Sequence, residues 1–236
     1  MACARKFAEN GDRLIITGRN EEKLKSIGNE LRGKGTEVTE LVFDVRDRQK
    51  ATECIQALPE EWKAIDVLVN NAGLALGIER EQDVDPDDWE TMIDTNIKGV
   101  LTMTHLIVKG MVERNRGHVI NIGSVAGDAA YAGGSVYCAT KAAVKALTDG
   151  LRIDLMDTSV RVTNLKPGLV ETNFSNTRYR GDTQRAAKLY QGIKPLVGDD
   201  IADVAVYAAN APEHVQIAEV LILATHQAGA TMIVRK

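Results

Sequence analysis

Six short apolar runs recur along the chain, each separated from the next by a longer segment of helical period, and this alternation restricts the fold more than any other feature. The runs are Leu14–Ile16, Val38–Val42, Ile65–Val69, Val119–Ile122, Val160–Val162 and Val220–Leu223. They read as strands buried on both faces, as in a parallel sheet. The helical segments fall at about 20–34, 47–57, 86–115, 134–157 and 199–211, with Asp85-Pro86 and Asp199 as helix starts by carboxylate capping and first-turn proline. Strand and helix in alternation imply right-handed crossovers and a doubly wound α/β sheet. No repeat, low-complexity tract or Pro/Gly/Ser linker divides the chain, so residues 1–236 are expected to form one domain.

With 236 residues, 44% of them hydrophobic, a full-sized core is within reach and a disulfide-stapled miniprotein is excluded. The net charge of -4 is mixed in sign without long like-charge runs, which argues against nucleic acid or an anionic membrane as the main partner. Cys3, Cys54 and Cys138 are far apart and have no metal-ligand spacing, so no metal is expected and a reduced, cytoplasmic setting is. No apolar stretch has the length of a signal peptide core or a membrane span.

Ligands of doubly wound sheets bind beyond the carboxyl ends of the strands, so the residues immediately after each run are the ones placed to carry chemistry. After the first run comes Thr17-Gly18-Arg19-Asn20, with no acid to accept from a ribose 2'-hydroxyl. Arg19 is suited to a 2'-phosphate and thus to NADP, or is simply a solvated surface arginine. Asp44 either caps the next helix or accepts from an adenine amino group. Asn70-Asn71-Ala72-Gly73 offers paired amides that can tie strands together, beside small residues that allow a close approach. Ser124 lies just after the strand at 119–122, and Tyr137 and Lys141 lie four apart, on one face if helical. A phenol is a poor base at neutral pH unless an ammonium stabilises its phenolate, and a hydroxyl opposite can hold a developing oxyanion. An isolated pair of this spacing is as well explained by a core tyrosine and a surface lysine.

In combination, Asn71-Ala72-Gly73, Asn96, Ser124, Tyr137-Cys138-Ala139-Thr140-Lys141 and Pro167-Gly168 resemble the short-chain dehydrogenase/reductase family, over essentially the whole chain from Leu14 onward. Within it, the stretches Asn70 to Gly77, Asp88 to Gly99, Met111 to Ser124, Tyr131 to Lys141 and Pro167 to Ser175, with Leu58 to Trp62, are similar to the NADP-dependent 3-hydroxy acid dehydrogenases, among them serine 3-dehydrogenases. The resemblance implies a Rossmann-type oxidoreductase acting on the carbinol beta to a carboxylate, of serine or allo-threonine type, or on the corresponding 3-oxo acid. It implies a catalytic set of Asn96, Ser124, Tyr137 and Lys141: Tyr137 exchanges the proton, Ser124 holds the substrate oxygen, Lys141 lowers the tyrosine pKa and binds the nicotinamide ribose, and Asn96 anchors a water that relays protons. Arg19 and Asn20 would hold the 2'-phosphate, Asp44 and Val45 the adenine, Asn71 the adjacent ribose, and Pro167, Gly168, Val170 and Thr172 the nicotinamide side and pyrophosphate. A substrate lid is implied around residues 172–195, where Arg178 or Arg180 supplies the cation for a carboxylate, or else both are solvated loop arginines. A homotetramer paired through the helices at 86–115 and 134–157 is also implied.

One departure carries a structural expectation. The family pattern has a strand and a glycine-rich turn before the strand ending at Thr17, and neither is found here. In the order 3-2-1-4-5-6 that strand separates the runs ending at Thr17 and Val69, so a gap of about 10 Å is expected between them. An N-terminally truncated, non-catalytic scaffold or subunit partner is therefore the alternative to an active enzyme.

Overall fold

Val119 and Ile120 are neighbours in sequence and both fully buried, which requires apolar cover on both faces of the strand that carries them. The computed structural model, which describes residues 1–236, supplies that cover from helices on either side of a parallel sheet. Val119 packs with Ile107, Val108 and Met111, whereas Ile120 packs with Phe7, Leu165, Ile201 and Ala205.

In chain order the elements are α1 (Ala2–Glu9), β1 (Leu14–Gly18), α2 (Glu21–Arg32), β2 (Val38–Val42), α3 (Arg48–Gln56), α4 (Glu60–Lys63) and β3 (Val67–Asn70). Then come α5 (Pro86–Ile93), a wide π turn (Asp94–Lys98), α6 (Gly99–Glu113), β4 (Gly117–Ile122), α7 (Ser135–Asp154), β5 (Val160–Pro167) and β6 (Val170–Glu171). The chain finishes with α8 (Asn173–Arg178), α9 (Thr183–Lys188), β7 (Leu196–Val197), α10 (Gly198–Ala209) and β8 (Glu219–Ile222). The six expected strands and the principal helices are all present. The short α4, α8 and α9 and the β6–β7 pair have no periodic signal in sequence.

Every pairing is parallel, but the main strands do not form one sheet. β1 pairs with β2, and β3, β4, β5 and β8 pair in that order. β1 and β3 are not bonded to each other, and a cleft of about 660 Å³ lined by both runs between them. The break thus falls where the gap was expected.

Two local expectations are refined and one holds. The segment at 86–115 is two helices joined by the π turn, after which Gly99 packs so tightly on Val45 that a Cβ there would sit 2.8 Å from Val45 Cγ2. A wide turn of this kind rotates the residues it holds relative to a regular helix, and here Asn96 and Thr95 are buried in it. Asp85 does cap α5, accepting from Asp87 N with Pro86 at the first position. Asp199, by contrast, is already inside α10: the helix begins at Gly198, and Asp200 reaches back to accept from Val197 N at 2.8 Å.

Candidate active site

Asn70 closes β3 and donates to Asn121 Oδ1 at 2.8 Å and to Thr104 Oγ1 at 3.1 Å, while Asn121 donates to Thr148 Oγ1 of α7 at 2.9 Å. These buried amides tie β3, β4, α6 and α7 together beneath the carboxyl ends of the strands. Asn71, next in sequence, is exposed on the cleft wall.

The π turn places Asn96 over the loop after β3. Its Oδ1 accepts from Leu74 N at 2.8 Å, and its Nδ2 donates to Leu74 O at 2.8 Å and Thr140 Oγ1 at 3.0 Å. Thr140 donates in turn to Tyr137 O at 2.8 Å. The Asn96 amide therefore fixes the loop against α7 and is committed to that task.

α7 begins at Ser135 and brings Tyr137 and Lys141 onto one face, both buried. Lys141 Nζ lies 6.0 Å from the Tyr137 ring centre and donates to Ile122 O at 2.7 Å, which turns it toward the end of β4. Ser124, just beyond that strand, caps a 3-10 turn over Val125–Gly127 by accepting from Ala126 N at 3.1 Å. Burial pushes the Tyr137 phenol up to about 12, with the Ser124 hydroxyl and the Arg178 charge pulling the other way. Burial also pushes the Lys141 ammonium down to about 8. In this state desolvation outweighs Ser124 and Arg178, and Tyr137 is a neutral phenol near pH 7, a proton donor.

The segment between β6 and β7 covers the tyrosine. β6 pairs with β7, so the two ends of this segment are pinned side by side. Phe174 of α8 packs on Tyr137, ring centres 5.5 Å apart. Thr172, expected at the cofactor, caps α8 by accepting from Phe174 N at 3.2 Å. Arg178 ends α8 and donates to Gly77 O at 3.1 Å, Tyr131 Oη at 2.8 Å and Gly133 O at 2.9 Å. Three of its five N–H donors are thus used in docking, and its charge still lowers the Tyr137 pKa. Arg180 goes elsewhere, to Asp88 Oδ2 at 2.5 Å. The two arginines that sequence leaves equivalent are therefore distinguished: one faces the tyrosine and the other fastens the segment to α5.

The far wall of the cleft holds the residues expected at an adenosine. Arg19 is exposed and 3.5 Å from Asp44 Oδ2. Burial opposes the Asp44 charge, but hydrogen bonds from Arg46 and the nearby Arg19 outweigh it and hold the carboxyl below its usual range. Asp44 does not cap the next helix; Asp47 does, accepting from Lys50 N at 2.9 Å. Asn20 caps α2, with Oδ1 accepting from Lys23 N at 2.8 Å. Val45 packs on Gly99, and Pro167 closes β5, just beyond which Gly168 N donates to Ile222 O at 2.7 Å.

A dinucleotide fits this cleft at both ends. Thr95 Oγ1 is buried on its wall without a hydrogen-bond partner. At Gly73 a Cβ would come within 3.3 Å of Asn96 Oδ1 and 3.4 Å of Lys141 Nζ, so glycine keeps the approach to the lysine open. Between the ends, the cleft continues directly into the space between β1 and β3. Sequence reasoning missed Tyr131, Phe174 and Asp88, because each acts through a partner distant in the chain, and it missed Thr95, which has no hydrogen-bond partner, and Arg46, which pairs with nearby Asp44.

The family described as short chain dehydrogenase matches residues 1–183. An NADP-dependent 3-hydroxy acid dehydrogenase of Salmonella typhi is 48% identical over 234 residues, covering 99% of this chain and 93% of its own length. A sulfoacetaldehyde reductase of Chromohalobacter salexigens is 43% identical over 234 residues, covering 99% and 92%. Among solved structures, the closed form of a serine dehydrogenase complexed with NADP+ superposes with a TM-score of 0.93 at 45% identity, covering 100% of this chain and 94% of that one.

Proposed function

The chain belongs to the short-chain dehydrogenase family, and from that premise we propose that it transfers a hydride between NADP and the 3-hydroxyl carbon of a small 3-hydroxy acid, of serine or allo-threonine type. The observation that carries the reading is the joint placement of Ser124, Tyr137 and Lys141 beneath the segment that brings Arg178 to the same tyrosine. The cofactor, when bound, supplies or accepts the hydride.

Each remaining task falls to a residue already placed. Tyr137 passes its proton to the substrate oxygen in reduction and recovers it in oxidation. Ser124 donates to the same oxygen as charge develops there. The Lys141 ammonium stabilises the phenolate and reaches a ribose hydroxyl, and Asn96 keeps the Leu74 loop and α7 at the separation this requires. Arg178 retains free N–H donors beside Tyr137 for the substrate anion, and Phe174 shields the reacting centre from water. Residues 172–195 act as the lid, with Arg180–Asp88 as its fastening. Similarity to both a 3-hydroxy acid dehydrogenase and a sulfoacetaldehyde reductase supports an anion close to the reacting carbon.

At the other end, Arg19 takes the 2'-phosphate, beside Asn20; Asp44 and Val45 border the adenine, and Asn71 its ribose. Pro167, Gly168, Val170 and Thr172 border the nicotinamide side. Exposed Leu101 and Val112 on α6 and Ile153 on α7 supply apolar surface for pairing into a homotetramer. No helix is long and apolar enough to cross a membrane.

The open space between β1 and β3 favours a second reading, in which the fold is kept as a scaffold without turnover. Titrating NADPH fluorescence on the chain and on Arg19→Ala separates the two. Saturable binding to the parent, weakened about tenfold or more in the variant, supports the enzyme; no binding to either supports the scaffold.

A further inference from the structure

Tyr137 borders a small hollow whose lining holds two charged side chains of opposite sign, Glu79 and Arg178. Leu76, Val84, Met92 and Val136 make much of the rest of that lining apolar. A carboxylate and a guanidinium in such surroundings ordinarily pair. Here they do not: Arg178 directs its donors to Gly77 O, Tyr131 Oη and Gly133 O, while Glu79 Oε2 accepts from Ile78 N at 2.8 Å.

Gly77 brings the two charges to one place. Its N donates to Arg178 O at 3.0 Å, and its O accepts from Arg178 Nε at 3.1 Å. Its φ of +70° is a left-handed value, and a Cβ there would collide with Glu79 Oε2. The same residue is thus clasped by the arginine and overlaid by the carboxylate.

The other charges nearby are already used. Arg180 pairs with Asp88, and neither lines the hollow. The N–H groups of Glu79 and Ile78, with Arg180 and Arg185 farther away, hold the Glu79 carboxyl below its usual range, so it is an anion at neutral pH. Two backbone donors leave about two of the four lone-pair sites of that carboxylate open.

We propose that Glu79 is a specificity residue that accepts from an ammonium group of the substrate, so that the preferred substrate is a 2-amino-3-hydroxy acid and not a 3-hydroxy acid lacking the amine. The inference rests on the reading of Ser124, Tyr137, Lys141 and Arg178 given above. In such a zwitterion the carbon next to the reacting carbinol carries both an ammonium and a carboxylate. With the hydroxyl at Tyr137, the carboxylate meets Arg178 and the ammonium meets Glu79. An acid without the amine brings its carboxylate to the same hollow and leaves the Glu79 charge unanswered beside it, which selects against that acid. With residues 172–195 in place the hollow is about 10 Å³, room for a single water, so the substrate enters as this segment shifts, and a small one is favoured.

Steady-state oxidation of serine and of 3-hydroxypropionate with saturating NADP+, by the full chain and by Glu79→Gln, tests the proposal. Glutamine keeps an acceptor for Ile78 N and loses the charge. The expected result is a serine to 3-hydroxypropionate ratio of kcat/KM that falls about tenfold or more in the variant, carried by the KM of serine. Alanine and propionate, which lack the reacting hydroxyl, read binding alone as competitive inhibitors: the Ki of alanine should rise about tenfold or more, and by more than that of propionate. A carboxylate that only fastens the segment over Tyr137 would affect both substrates alike, so an unchanged ratio, or equal shifts of the two Ki values, would overturn the proposal. Oxidation of 3-hydroxypropionate but not of serine by the parent chain would also overturn it and leave the assignment of Tyr137 standing, whereas oxidation of neither would overturn both.

Discussion

Tyr137 is the residue on which the proposed chemistry turns, and its surroundings set its protonation. Burial holds the phenol at about 12 and lowers Lys141 to about 8, so near pH 7 the pair is a neutral donor beside an ammonium. Reduction uses that neutral phenol directly, whereas oxidation needs the phenolate. Oxidative kcat/KM should therefore rise from about pH 7 to about pH 10 while reductive kcat/KM does not rise. Opposite slopes in steady-state rates would contradict the assignment. Arg178 makes a separate prediction. Replacing it by Ala removes a charge-assisted contact worth about 1.5–3 kcal/mol, so KM for an anionic substrate should increase about tenfold or more. Arg178→Lys keeps the charge but loses the fork that reaches Gly77 O, Tyr131 Oη and Gly133 O, and should recover little of that loss. An unchanged KM in both variants would remove Arg178 from the substrate site.

At the level of elements, the strands were legible because each buries consecutive apolar residues, as Val119 and Ile120 do between opposite helix layers. The π turn was not, because no local pattern marks it, and the close contact of Gly99 with Val45 beside it spans more than fifty positions of sequence. The four-residue spacing of Tyr137 and Lys141 was legible because it lies within one helix. The docking of Arg178 on Tyr131 was not, because it spans two loops that only the fold brings together. β4 and β5 also carry a pH-sensitive contact without local signature. His118 Nε2 is 2.7 Å from Thr163 Oγ1, and that hydroxyl donates to Ile217 O at 2.6 Å. Nε2 therefore carries the ring proton, and the buried Nδ1 is bare and unpartnered. Burial, with Arg161 nearby, pushes the His118 pKa down to about 3 from an ordinary 6.5. The unfolded chain binds a proton below about 6.5 that the folded chain refuses until about 3, so folding stability falls as pH drops through that window. His118→Gln should lose less Tm than the parent between about pH 7 and about pH 5, as read by calorimetry. An equal loss would assign the acid sensitivity to other groups.

At the scale of the whole molecule, the break between β1 and β3 divides the proposed cofactor site as well as the sheet. Arg19, Asn20, Asp44 and Val45 stand on the β1–β2 side, and Asn71, Lys141 and the segment over Tyr137 stand on the side of β3 to β8. Helices and loops join the halves, but no strand ladder fixes their separation. The position of this break was implied by the family resemblance and its strand order; that the neighbouring helices would leave a cleft there was not, since Phe7 and Ile107 line it from opposite layers. The central claim is that the two halves together bind NADP and that Tyr137 turns it over. Recording NADPH formation from NADP+ with serine and with 3-hydroxypropionate, on the chain and on Tyr137→Phe, tests it most directly. The expected result is turnover with NADP+ exceeding that with NAD+, reduced by about 10²-fold to 10⁴-fold in the variant. Equal rates in the two proteins, or no NADPH formation from either substrate by a chain that binds NADPH, would contradict the account.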